Sequence, residues 1–294
     1  MQLNGYAFGD SSYFCLFGAL TPQLATRTGD AVLECSAPAA AAYSPALAAG
    51  SSVSLKLRSG DGDWSSSPTR FFYRAAPTLT SISPACGPLH GATVVTVTGT
   101  GFTQASSFLV CQFGPDAYLS PATWLSSSML TCLSPPQPTA RNVTLSVSNN
   151  GFDFSNGTRF MYYRAPSVSA VFPAHGSVLG GTRLVVSGRN FARTATTFCR
   201  FGGGLTVVAV VYNETVLECN SPALAPGAYS VEISLNGRDY TNNGLLFTSV
   251  ELPIVTMVLP STGSYAGNTM LNLTVLNLPS TASVAQLPLF CVIG

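Results

Sequence analysis

The chain has 294 residues, of which 46% are hydrophobic and only 9% charged, against about 25% charged in ordinary soluble domains; the formal net charge is +1. Contact with phosphate demands a basic face, so this near-neutrality argues against nucleic acid as a partner. Solubility must rest instead on Ser, Thr and Asn side chains, attached sugar, or burial against neighbours, and no apolar run reaches the roughly 18 residues of a membrane-crossing helix.

In chain order, Met1 to Phe8 align with Val95 to Phe102 further on, so the chain opens inside a strand pattern. Cys15-Leu16-Phe17-Gly18 follows, then Cys35-Ser36-Ala37-Pro38, a glycine turn at Arg58 to Asp63, and an aromatic closing strand, Arg70-Phe71-Phe72-Tyr73. The series then repeats. A β-branched strand, Val94 to Gly99, leads to Cys111-Gln112-Phe113-Gly114, Cys132-Leu133-Ser134-Pro135, the turn Ser148 to Asp153, and Arg159-Phe160-Met161-Tyr162-Tyr163. The third copy runs through Leu184 to Gly188, Cys199-Arg200-Phe201-Gly202, Cys219-Asn220-Ser221-Pro222, the turn Leu235 to Asp239, and Leu245-Leu246-Phe247. A fourth begins with the strand Met270 to Val275 and reaches Cys291-Val292-Ile293-Gly294. Asn-Gly and Asp-Gly accept the positive φ of tight hairpin turns, and no amphipathic helical stretch interrupts the pattern. The chain is predicted to be all-β.

Equivalent prolines at Pro77, Pro166 and Pro253 recur at 89 and 87 residues, a period that suits a small β-sandwich. Side chains alternate along a strand, so Cys111 shares a face with Phe113, and Leu33/Cys35, Leu130/Cys132 and Leu217/Cys219 likewise pair inward. Both thiols of each copy therefore point into one apolar interior, which predicts the disulfides Cys15 with Cys35, Cys111 with Cys132 and Cys199 with Cys219. The repeats divide the chain into four domains: 1–76 and 251–294, each a partial copy, and 77–164 and 165–250, each complete. This reads as a segment of a longer protein. Short proline-containing junctions favour a semi-rigid rod.

Segments such as Pro77 to Pro84 leading through Gly91-Ala92-Thr93 to Gly99-Thr100-Gly101-Phe102, and Pro166 through Pro173 and Gly180-Gly181-Thr182 to Gly188-Arg189-Asn190-Phe191, resemble IPT/TIG domains. This is an immunoglobulin-like family found in plexins, Met-type receptors, fibrocystin-like surface proteins, Rel-type transcription factors and some starch-acting enzymes. The resemblance covers nearly the whole chain. It implies an early-set sandwich fold and a spacer or interaction role, and no activity by itself.

Six cysteines in recurring pairs point to an oxidising compartment. Four sequons point the same way and make Asn142, Asn156, Asn213 and Asn272 candidates for N-glycosylation. Cys86 and Cys291 lack a recurrent partner. Cys86 is either a free thiol or bonded to a cysteine elsewhere; a bond is favoured because exposed thiols are hazardous in oxidising surroundings.

Residues fit for catalysis are scarce. His90 and His175 fall at inequivalent positions and read as exposed turn residues rather than ligands. Asp61-Gly62-Asp63 superficially resembles part of a calcium loop, but no terminal Glu follows, and Asp153-Phe154 and Asp239-Tyr240 mark Asp63-Trp64 as the acid-then-aromatic pair leaving a hairpin. Trp64 and Trp124 suit aromatic packing at strand ends better than a sugar-stacking patch. We therefore expect no enzyme, cofactor or metal site. The expected role is a noncatalytic structural or adhesion segment of a larger cell-surface or ciliary-surface glycoprotein. Its partners would be other protein domains of the same chain or assembly, with a surface protein or glycan as a further candidate. Two alternatives stay open: the ectodomain of a plexin-like or Met-like signalling receptor, and an accessory sandwich region of a carbohydrate-active enzyme.

Overall fold

The computed structural model describes residues 2–4, 12–39, 51–66, 69–104, 108–115 and 118–277. It divides into two compact units, Met1–Ala76 and Pro77–Gly294. The described residues form strands and turns, and among them no helix is long and apolar enough to cross a membrane.

The first unit holds β1 (Gln2–Asn4), β2 (Tyr13–Phe17), β3 (Gln23–Gly29), β4 (Val32–Glu34), β5 (Ser52–Ser59) and β6 (Arg70–Phe72), in the sheet order β1-β4-β3-β2-β5-β6. Alternation along β2 turns Cys15 and Phe17 inward, where Leu55 of β5 meets them. The Phe17 and Phe71 rings meet edge to face with centroids 5.2 Å apart.

The second unit opens with eight strands: β7 (Thr78–Ser83), β8 (Cys86–Pro88), β9 (Val94–Thr100), β10 (Val110–Phe113), β11 (Leu119–Ser126), β12 (Met129–Leu133), β13 (Asn142–Ser148) and β14 (Thr158–Tyr163). Their order is β7-β9-β12-β11-β10-β13-β14-β8. The first residues of β11 pair with β10 and its later residues with β12, so this one strand passes between the two layers of a sandwich. A second crossing is one the sequence pattern does not announce. After Pro84 the chain leaves β9 and runs parallel to β14 as β8.

Nine further strands repeat the plan: β15 (Ser167–Phe172), β16 (His175–Ser177), β17 (Arg183–Arg189), β18 (Phe198–Phe201), β19 (Leu205–Val208), β20 (Val210–Asn213), β21 (Val216–Asn220), β22 (Gly227–Ser234) and β23 (Leu246–Val250). Here the crossing strand is broken at Ala209, leaving β19 at the edge of one sheet and β20 at the edge of the other. A last antiparallel pair, β24 (Ile254–Leu259) with β25 (Asn272–Leu276), copies β7 with β9, including the register shift. The alignment of the chain start also appears in the pairing: Leu3 faces Leu33 as Val97 faces Leu130.

Each complete core is built alike. Val95, Val97, Cys111, Phe113, Leu130 and Phe160 are fully or almost fully buried in one, and Leu184, Val186, Cys199, Phe201, Leu217 and Phe247 in the next. Phe113 meets Phe160 at 5.3 Å, and Phe201 meets Phe247 at 5.8 Å, both edge to face. Gly99 and Gly188 let the crossing backbone close up. A Cβ there would collide with the carbonyl of Thr78 or Ser167 and with the ring of Phe102 or Phe191, which explains the Gly-x-x-Phe spacing.

Three disulfides join Cys15 to Cys35, Cys111 to Cys132 and Cys199 to Cys219, with Cα–Cα separations of 6.4, 6.4 and 6.5 Å. The second ties β10 in one layer to β12 in the other, so each bond clips a sandwich through its core. Closing a loop of this length stabilises a domain by roughly 3 kcal/mol on the chain-entropy model.

Candidate functional site

The feature with the most specific chemistry is a joint inside the second unit, made where a hairpin loop of the third repeat meets the second. The loop grows out of β22. Ser234 Oγ accepts hydrogen bonds from the backbone N–H of Asn236 and Gly237, while Asn236 Oδ1 accepts from the N–H of Arg238 and Asp239. Gly237 supplies the positive φ, +73°, that the turn requires. Ser148, Asn150, Gly151 and Asp153 make the same set of bonds in the second repeat. The loop is thus wider than the tight hairpin turn expected from Asn-Gly, and it is held by side chains that bond the backbone. Behind it a hydroxyl closes the hairpin in each of the first three copies. The N–H groups of Leu57, Val147 and Ile233 donate to Ser65 Oγ, Ser155 Oγ and Thr241 Oγ1. Sequence reasoning missed this clamp, although its signal was present as Asp-aromatic-Ser/Thr in Asp63-Trp64-Ser65, Asp153-Phe154-Ser155 and Asp239-Tyr240-Thr241.

What distinguishes the third loop is its reach. Asp239 Oδ2 accepts from Thr93 Oγ1 at 2.6 Å and from Asn236 Nδ2 at 2.7 Å, and Asn236 Nδ2 also donates to the carbonyl of Cys86 at 3.1 Å. Between these bonds lies an apolar seam. Leu235 is 0% exposed against Cys86 at 6% and Tyr163 at 4%, with Met161 and Ala192 packed alongside. The Cys86 thiol points its weak donor at the carbonyl of Leu235, 3.7 Å away, an oxygen that also accepts from Thr194 Oγ1. In the second repeat Asn149 stands where Leu235 stands, and it turns back onto its own domain, donating to Gly101 O and accepting from Thr103 N–H. Phe152 and the rest of that loop's tip are exposed.

The joint is chemically quiet. Burial first, and the Asp239 carboxylate second, push the Cys86 thiol up to about 11, so it stays protonated and unreactive at neutral pH. Burial, followed by Cys86 and Asp239, likewise raises Tyr163 above the usual phenol range.

Of the two readings of Cys86, this placement favours the free thiol. The Cys86 thiol is free and largely buried at the joint, 6% exposed beside a cleft, which weakens the hazard argument for an external bond. Cys291 lies outside the described residues. His90 is exposed in a turn, but His175 sits half-buried in β16, on the position equivalent to Cys86, and is no turn residue. Asp61 and Asp63 are exposed beside their turn. Trp124 packs on its core and donates Nε1–H to Phe102 O, while Trp64 carries the Arg58 guanidinium 4.7 Å from its ring. Asn142, Asn156, Asn213 and Asn272 are all exposed.

Fold, disulfides and joint together define tandem immunoglobulin-like sandwiches. The IPT/TIG domain model matches residues 77–162 and 166–249, and the chain belongs to that family. Human (Homo sapiens) fibrocystin-L is 26% identical over 204 residues, covering 68% of this chain and 5% of that protein. Human plexin-A3 is 26% identical over 208 residues, covering 66% of this chain and 11% of plexin-A3. Among solved structures, the full extracellular region of plexin A4 aligns with 88% of this chain and 28% of its own, at 13% identity and a TM-score of 0.42. The chain thus spans only a small part of the relatives it matches.

Proposed function

We propose that this chain is a noncatalytic spacer segment of a larger extracellular or cell-surface protein, in which the buried joint between the second and third disulfide-clipped sandwiches helps to set the distance between functional parts. The observation that supports this best is the joint itself. A loop that buries a leucine, a tyrosine and a thiol and adds three polar contacts restrains two domains against each other, which a string of independent beads does not need. The three core disulfides favour a secretory compartment, and the exposed sequons suit it. Its partners would be other protein domains of the same chain or assembly, with a surface protein or glycan beyond them. A ciliary surface is one setting for such a segment. The likeness to human plexin-A3 supports a second reading, the ectodomain of a signalling receptor, in which the same stacking would hold a ligand-binding part away from the membrane.

Secretion from eukaryotic cells tests this. The segment should leave the cell with three intramolecular disulfides and no catalytic turnover, and hydrogen exchange should show protection at the joint around Leu235 and Asn236. A chain retained in the cytosol with reduced thiols, or a joint whose amides exchange as freely as an exposed loop, would sink the reading.

A further inference from the structure

Asn142 stands at the edge of an open cleft of about 420 Å³ between the second and third repeats, lined also by Arg141, Tyr163, Asn190, Phe191 and Glu214. A smaller cleft of about 330 Å³ is bounded by the same Asn142, by Met161 and by Cys86, with Thr194 and Thr196 across from them. The two openings therefore share Asn142 and Met161. Asn142 is the first residue of β13, and its backbone is paired with Met161 of β14. Strand alternation sends Val143 into the core and turns Asn142 and Thr144, the two recognition residues of the sequon, to the exposed side. The facing domain brings a sequon to the same cleft, since Glu214 is the middle residue of Asn213-Glu214-Thr215.

We propose that Asn142 carries an N-linked glycan whose innermost N-acetylglucosamine fills the larger cleft and props the joint at its angle; this rests on the secretory reading above. The lining suits a sugar. Arg141, Asn190 and Glu214 offer hydrogen-bonding groups for hydroxyls and the acetamide, and the half-buried Met161 and Ala192 offer apolar surface for the ring. The modification joins Asn142 Nδ2 to the anomeric carbon of the sugar. The bond from that carbon to a lipid-linked pyrophosphate donor breaks, the pyrophosphate keeps the electron pair, and the amide gives up one proton. A filled cleft removes the space into which the two domains would tilt, so movements that lift Leu235 off Cys86 become rarer. Cys86 is then a built-in reporter of the joint.

The test uses the whole chain secreted from eukaryotic cells. Enzymatic deglycosylation in ¹⁸O water marks each occupied asparagine, and maleimide labelling is read at the Cys86 peptide. Asn142 should be occupied. Trimming every glycan to a single N-acetylglucosamine should leave Cys86 labelling unchanged, while Asn142→Gln and Thr144→Ala should each raise it several-fold and Asn156→Gln should not. Denaturation midpoints of the two sequon variants, compared after complete deglycosylation of all samples, separate loss of sugar from damage to the fold. An unoccupied Asn142 beside occupied Asn156, Asn213 and Asn272 overturns this inference alone, as does unchanged labelling in both variants. If no sequon is occupied and the cysteines are reduced, the secretory reading falls with it.

Discussion

Tyr162 donates its hydroxyl to Pro135 O at 2.9 Å, and Tyr73 donates to Pro38 O at 3.0 Å, so in the first two repeats the proline of the Cys-x-(Ser/Ala)-Pro motif presents a carbonyl to the closing strand. In the third repeat Ser249 holds the equivalent place and reaches Leu224 O instead. Replacing Tyr162 by Phe removes the donor and little volume, and should lower stability by roughly 1 kcal/mol, measured as a shifted urea midpoint with unchanged slope. Gly99→Ala should cost more, about 1–3 kcal/mol, because its methyl would meet the Thr78 carbonyl and the strand pair would have to spread. Cys86 makes the joint sensitive to alkali. A thiol raised from 9.0 to about 11 favours the protonated folded state, so its contribution is intact below pH 9 and is lost as pH climbs toward 11. Labelling of Cys86, corrected for the thiolate fraction of a model thiol, should therefore rise over that interval.

At the scale of the hairpin loop, equal internal bonding and unequal contacts allow a controlled comparison. Asn236→Ala and Asn150→Ala break the same loop bonds, but only Asn236 also reaches Cys86 O and steadies Asp239 under Thr93. Both should loosen their own domain by about 1–2 kcal/mol, and Asn236→Ala alone should expose Cys86 to maleimide. Much of these elements is legible in sequence. The strand carrying Cys-x-Phe, the closing aromatic strand and the glycine turns follow from alternation and from residues that tolerate positive φ. Two parts are not. The short β8 has no alternation of its own, because its pairing with β14 is set by where the chain goes after Pro84. The break at Ala209, which leaves β19 in one sheet and β20 in the other, falls in Leu205 to Asn213, a run without proline or glycine that reads as one continuous strand.

Across the molecule, removing one disulfide while keeping its neighbours should destabilise a single domain. Cys111→Ala with Cys132→Ala should cost roughly 3 kcal/mol in the second repeat on the chain-entropy model, and hydrogen exchange would localise the loss there. The amino-acid order alone determined the repeat, the all-β class, which thiols share an interior and the poverty of catalytic groups, because these rest on spacing and on residue chemistry that recur copy after copy. Only the folded chain decided that Cys86 is buried at the joint, that Leu235 and Asp239 serve a neighbouring domain while Asn149 serves its own, and that Asn142 borders a cleft. Those contacts join residues about 150 positions apart, such as Cys86 and Asn236, and no local pattern encodes which face one domain turns to the next.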